Sequence, residues 1–223
     1  MIKKALLTLF IAIITIPLFS QKNSGTVLYK VVSKKEVNYK KIINKGSLTS
    51  FFKGKAAFEL VFKEDKSCYK RKVNFNKEGE REKINFFEIV GGSDAIFYNE
   101  KGKTIKSVNE YDEDFLVTYV PKQWQITQEH KKIGGYVCYK AISKNNRVVW
   151  FTPNIPLSFG PKDLNGLPGL ILEEEIGKIS IVASEIVFKE ISDKQIKKPT
   201  KGTPITEKEY SKKLKEIAKS IGF

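Results

Sequence analysis

The sequence predicts a mainly β protein: a single curved antiparallel sheet or half-barrel of about ten to twelve strands, with one amphipathic helix at the C-terminus. Three observations carry this. Short runs of β-branched and aromatic residues recur over residues 26–188, separated by polar turns at hairpin length. No helical pattern separates these runs, which favours antiparallel pairing over crossover connections. Only after Pro204 does the apolar period change from that of a strand to that of a helix.

In the first run Val27, Tyr29 and Val31 alternate with Leu28, Lys30 and Val32. Phe58, Leu60 and Phe62 share one face of the second, and Lys63-Glu64-Asp65-Lys66 makes a turn into a return segment from Cys68 through Val73 and Phe75. Residues 84–90 read as a further run, stopped by Gly91-Gly92. Runs at 96–98 and 104–108 flank Asn99-Glu100-Lys101-Gly102, a hairpin signal. Runs at 115–120 and 124–129 follow. Gly134-Gly135 precedes a run at 136–142, Asn145-Asn146 precedes one at 147–152, and Gly177 separates 170–174 from 178–188. The helix is expected over 206–220. Thr206 and Glu209 have capping-box spacing, and Tyr210, Leu214, Ile217, Ala218 and Ile221 form its apolar stripe. That stripe suits docking on the sheet better than a partner or a membrane surface, with lysines solvating the other face.

Residues 1–20 read as a signal peptide. Lys3 and Lys4 precede an apolar run, Pro17 ends it, and Ser20 suits cleavage before Gln21. The run is shorter than the ~20 residues of a spanning helix, and no cysteine follows it for lipid attachment. The expectation is a periplasmic or secreted domain over 21–223, with no transmembrane anchor after cleavage. The net charge of +15 comes almost wholly from lysine. Arg71, Arg81 and Arg147 are the only arginines, so the planar forks that read phosphates and bases are scarce. Weak attraction to anionic surfaces follows from that charge; a nucleic-acid partner does not. Cys68 and Cys138 are the only cysteines, and in an oxidising compartment a lone pair favours a disulfide. With His130 the only histidine and no C-x-x-C or H-x-x-x-H spacing, no metal site is expected.

The densest motif lies at 153–169. Pro153, Pro156, Pro161 and Pro168 are interleaved with Gly160, Gly166 and Gly169, so the segment is neither a central strand nor a helix. Leu167-Pro168-Gly169-Leu170 fits a type II turn, with Gly169 supplying positive φ. Ile155, Leu157, Phe159, Leu164 and Leu167 are too apolar for a solvated loop. Two readings stay open: a rigid lid or wall over a cavity, or a plug completing the core of a curved sheet.

Gly166-Leu167-Pro168-Gly169-Leu170-Ile171 resembles the signature that names the GLPGLI family, also called Porph_ging. The resemblance extends upstream through Gly135-Tyr136-Val137-Cys138-Tyr139-Lys140-Ala141, Trp150-Phe151-Thr152-Pro153 and Ile155-Pro156-Leu157-Ser158-Phe159-Gly160-Pro161. It implies an exported protein of a Bacteroidetes-type bacterium and no particular activity. The strand order is also similar to the half-barrels of periplasmic lipoprotein carriers, which hold acyl chains on a concave face, an analogy of fold only.

Hydrolytic chemistry finds little support. Ser158 lacks a G-x-S-x-G frame, His130 stands in a lysine-rich stretch, and no phosphate-binding loop or dinucleotide fingerprint occurs, so neither catalytic residues nor a cofactor are expected. Glu173 and Glu175 share one strand face and Glu174 the other, as at a polar hairpin end. The leading expectation is a non-enzymatic extracytoplasmic binding or carrier module. Its ligand would be an apolar small molecule, acyl chain or peptide held by Trp150, Leu157, Phe159, Leu164, Leu167 and Leu170. The alternative is a cell-envelope interaction protein supporting outer-membrane transport or metal homeostasis, docking on a protein partner through its basic surface and the 153–169 segment. A third reading, an enzyme, would take its acid or base from Asp94, Glu113 or Glu173.

Overall fold

Twelve strands form one open sheet in the computed structural model, which describes residues 23–33, 56–72 and 85–220. The expected leader, Val73, Phe75, Ile84, Arg81 and Ile221 lie outside the described residues. The first wing is a meander of β1 (Ser24–Ser33), β2 (Ala56–Lys63), β3 (Lys66–Arg71), β4 (Ile96–Glu100), β5 (Lys103–Glu110) and β6 (Glu113–Tyr119). The second is a meander of β7 (Trp124–Ile133), β8 (Tyr136–Ser143), β9 (Val148–Thr152), β10 (Leu170–Ile176) and β11 (Ile179–Phe188). Antiparallel pairing of β1 with β11 joins them, giving the order β12-β6-β5-β4-β3-β2-β1-β11-β10-β9-β8-β7. The edge strand β12 (Thr203–Thr206) pairs parallel with β6, so the sheet is mixed rather than wholly antiparallel as expected. Pro204 is tolerated there because an edge strand need not donate on its outer side.

The curvature follows from chain length. Ten strand positions separate β6 from β7 in the order, about 48 Å in a flat sheet at ~4.8 Å per strand. The link between them is residues 120–123, which spans at most about 19 Å even when fully extended. The sheet is therefore rolled until its wings face each other, although no hydrogen-bonded pair closes the ring.

Alternation decides what points inward. Val27, Tyr29 and Val31 are buried, and their β2 partners Leu60, Phe58 and Ala56 are buried beside them. Phe58 stacks on Tyr69, which meets Phe97 edge to face, so aromatic rings carry the core across the first wing. Ile191 and Ile196, flanking a 3-10 turn at Asp193–Gln195, cover Val61, Cys68 and Tyr98 on the outer face.

One expected strand is a helix. Residues Phe86–Gly91 form α1, which Asn85 caps by accepting a hydrogen bond from the Phe87 amide, and which Gly92 ends at φ 119°. Gly91 lets the helix lie on the sheet, since a Cβ there would fall 1.9 Å from the Phe58 ring. At the C-terminus α2 (Glu207–Ser220) has the expected capping box. The Thr206 amide donates to Glu209 Oε2 (2.9 Å) and the Glu209 amide to Thr206 Oγ1 (3.3 Å). Tyr210 and Leu214 dock on Phe115 and Val117 of β6, as the apolar stripe predicts.

The expected bridge between Cys68 and Cys138 is absent. Both are free, buried thiols, in different apolar clusters. Burial raises both, Cys138 to about 11, so they stay protonated in place. No helix among the described residues is long and apolar enough to cross a membrane.

Candidate functional site

The 153–169 segment occupies the interior of the rolled sheet. Trp150, Leu157 and Phe159 sit in the main cluster with Tyr29, Phe58 and Tyr69. Leu164 and Leu167 join Val149, Phe151 and Ile171 in a second cluster, and Leu170 is wholly buried. The six residues expected to face a ligand are thus at most 8 % exposed. Polar bonds fix the segment from several directions. Tyr29 Oη donates to the Ile171 carbonyl at 2.6 Å, and Trp124 Nε1 to that of Asn165 at 2.7 Å. Asn165 Nδ2 donates to Thr104 Oγ1 of β5 at 2.9 Å, across the interior. Ser158 Oγ accepts from the Gly166 amide at 2.9 Å, a structural use of that hydroxyl.

The turn at the hexapeptide differs from expectation. Gly166 has the positive φ, +90°, whereas Gly169 is not in the left-handed region. Gly169 is needed for space: a Cβ there would lie 2.1 Å from the Thr152 carbonyl oxygen.

Where the wings meet, a cavity of about 570 Å³ opens. Phe97, Tyr119 and Glu207 line it from the first wing and α2; Asn146, Arg147, Lys162, Asp163 and Glu174–Gly177 line it from the second. Arg147 is its centre. Asn146 (φ 58°) turns the chain between β8 and β9, the Arg147 amide donates to Ser143 Oγ, and its carbonyl accepts from the Ser143 amide. The backbone so pinned, Nη1 donates to both Asp163 oxygens (2.9 and 2.8 Å), while Nε and Nη2 donate to Glu174 Oε1 (2.9 and 2.6 Å). Lys122, on the link between the wings, lies 2.5 Å from Asp163 Oδ2, and Lys162 lies 2.9 Å from Glu174 Oε2. Charges alternate along the row Lys122, Asp163, Arg147, Glu174, Lys162.

The row sets the cavity's chemistry. Burial alone would raise the Asp163 carboxyl, but Arg147 and Lys122 outweigh it and hold it below its ordinary range. Burial likewise works against the Arg147 charge, and Glu174 and Asp163 reverse that. Burial first, then Asp163 and Glu207, push the Tyr119 hydroxyl up, so it remains a neutral donor. An ionised, clamped carboxylate beside a permanent guanidinium neither gives nor takes a proton near neutrality.

The Glu173–Glu175 run alternates as expected, yet it is no solvated hairpin end. Glu174 joins Arg147 on one face. On the other, Glu173 accepts from Ser180 Oγ (2.7 Å) and pairs with Lys131 (2.6 Å), while Trp150 Nε1 donates to Glu175 (2.6 Å). Lys131 also lies 4.1 Å from the Trp150 ring centroid. Asp94, Glu113 and Glu173 are not brought together: Asp94 pairs with Arg71, Glu113 with Lys213 and Glu173 with Lys131. His130 is exposed on strand β7, 6.3 Å from the Tyr139 ring. Among the described residues no group of three His, Cys, Asp or Glu side chains could hold a metal. The Arg147 row was missed in sequence. Its one signal is that a scarce arginine in a lysine-rich chain follows an Asn-Asn turn, where a fork-shaped partner for carboxylates is wanted.

A mainly β protein, with one open, rolled twelve-stranded sheet and a C-terminal helix, is the class these features define. Residues 143–173 match the model of the family described as "Protein of unknown function (Porph_ging)", in agreement with the resemblance carried by the hexapeptide. Among curated proteins none matches the chain significantly in sequence. In three dimensions the chain is similar to PNGF-II, solved in two crystal forms, with TM-scores of 0.54 and 0.53 and 16% identity. Each match covers 85% of this chain and 32% of that one, so the chain spans about a third of PNGF-II. A weaker likeness, at a TM-score of 0.38 and 7% identity, is to an uncharacterized conserved protein from Thermus thermophilus, covering 84% of this chain and 94% of that one.

Proposed function

We propose that the protein is a non-enzymatic extracytoplasmic binding module whose ligand occupies the Arg147 cleft. The observation that carries this reading is a cavity of about 570 Å³, within the size range of small-ligand sites, lined by a fixed row of charges. The leader-like first twenty residues support the compartment. Of the ligands expected from the sequence, a short peptide suits the cleft best. Its lining offers donors from Asn146, Arg147, Lys162 and Tyr119 and acceptors from Glu207 and Asp163, matching the N–H and C=O groups of a peptide backbone. An acyl chain held by Trp150, Leu157, Phe159, Leu164, Leu167 and Leu170 would have to displace residues that already fill the core.

The test uses titration calorimetry with a panel of tripeptides, on wild type and on Glu207→Gln and Asn146→Gly. Both substitutions change the cleft wall, and glycine keeps the positive φ of the Asn146 turn that positions Arg147, so the ionic row stays intact. The expected result is binding by wild type that falls at least about tenfold in the variants, the loss of one good polar contact. No binding by wild type to any member, or unaltered binding by both variants, would sink the reading. The alternative, a cell-envelope interaction protein, draws support from the basic surface of α2.

A further inference from the structure

We propose that the outer face of α2 is a docking surface for an anionic lipid bilayer. At about 100° per residue, Lys208, Lys212, Lys215 and Lys219 fall within an arc of roughly 60°. That arc lies opposite Tyr210, Leu214 and Ile217, the side by which the helix docks on β6. Lys208 and Lys219 are eleven residue steps apart, about 16 Å along the axis. All four are exposed.

The acidic residues of the helix stand to the sides of this row. Glu209 is occupied by the cap at Thr206, Glu207 lines the cleft, and Glu216 meets Lys212 at 3.7 Å with both side chains largely in water. Lys213, off the row, is paired with Glu113 of β6. The outermost line of the helix therefore presents ammonium groups alone, in a chain of net charge +15.

Charge complementarity selects the occupant. Lysine ammoniums are compact, strongly hydrated point charges without the planar fork that recognises bases or single phosphates, and they suit an extended sheet of diffuse negative charge. No aromatic side chain interleaves them for stacking on bases. The apolar face is already used against Phe115 and Val117, so the helix adsorbs by charge without inserting. Adsorption of this kind is reversed by salt and absent on neutral bilayers. The inference does not depend on the cleft.

The experiment is co-sedimentation of the full chain with vesicles of phosphatidylglycerol and phosphatidylethanolamine, against vesicles of phosphatidylcholine alone, across a salt series. The apolar first residues are common to every variant and cancel. One variant carries Lys208→Gln, Lys212→Gln, Lys215→Gln and Lys219→Gln. A control of equal net charge carries Lys101→Gln, Lys103→Gln, Lys144→Gln and Lys178→Gln, all exposed at hairpin turns. A third replaces the four helix lysines by arginine. The expected result is salt-reversible binding to the anionic vesicles only, lowered at least about tenfold in the helix-Gln variant and little changed in the other two. Equal losses in the helix-Gln and control variants would reduce the effect to net charge and overturn the assignment. So would a difference between wild type and the helix-Gln variant that is insensitive to salt, or tighter binding to duplex DNA than to the vesicles.

Discussion

Replacing Arg147 by Met removes the guanidinium and keeps most of the side-chain volume. It leaves two carboxylates, Asp163 and Glu174, whose side chains are 8 % and 3 % exposed, short of their main partner. Breaking a buried ion pair from one side costs about 3–5 kcal/mol. Lys122 and Lys162 still face the outer oxygens, which places the expectation at the low end. For a chain of this size ~3 kcal/mol lowers the melting temperature by roughly 6–12 °C. The pH dependence is more telling. In wild type the Asp163 carboxyl is held below its ordinary range, so its contribution is complete above the unfolded value of about 3.9 and is lost as pH falls through the folded value. In the variant burial is opposed by Lys122 without Arg147, the folded value moves up, and protonation relieves the buried charge earlier. The gap between wild type and variant should therefore narrow as pH falls from neutrality toward about 4. Urea denaturation followed by circular dichroism across that range measures it, with Arg147→Lys as the charge-retaining intermediate. A gap below ~1 kcal/mol at neutral pH, which is the size of a surface pair, or a gap that widens on acidification, would refute the reasoning.

Gly169→Ala should cost roughly 1–3 kcal/mol by overpacking, because the new methyl meets the Thr152 carbonyl, a backbone atom that cannot swing away. Chemical denaturation with an unchanged m-value is the check. Tyr29→Phe leaves the buried Ile171 carbonyl without its 2.6 Å donor, a loss of about 1–3 kcal/mol read from the same assay. Cys68 and Cys138 should resist alkylation in the folded protein, since burial both covers them and raises their thiols. Intact mass after denaturation without reductant should then show two added groups, and none would mean a bridge.

Much of the sheet was legible because its signals are local. The Lys101-Gly102 and Gly134-Gly135 turns have the positive φ angles that two-residue hairpins require. Alternation in Val27, Tyr29 and Val31 named the inward face directly. The run at 84–90 reads as a strand because its aromatic and β-branched composition outweighs the caps of the helix that forms at Phe86–Gly91. Asn85, Glu88 and Gly92 were the better signal. The parallel edge strand β12 has four residues, one of them proline, and is defined by the β6 partner it meets. The site was less legible still. The five charges of its row come from the link between the wings, the β8–β9 turn, the proline-rich segment and β10, and only the rolling of the sheet gathers them. In sequence the five apolar residues of 153–169 favoured neither lid nor plug. Burial in two clusters makes them core.

The 153–169 segment is part of the core, and the charged cleft opens beside it. Native-state hydrogen exchange at Leu170 and Ile171, whose amides donate to the Ile155 and Phe159 carbonyls, tests that placement most directly. These amides should exchange only with global unfolding, at the same free energy as those of Val27 and Tyr29. Exchange at the rate of the Lys101-Gly102 turn, with Val27 and Tyr29 still protected, would mean that the segment opens as a lid and would contradict the account.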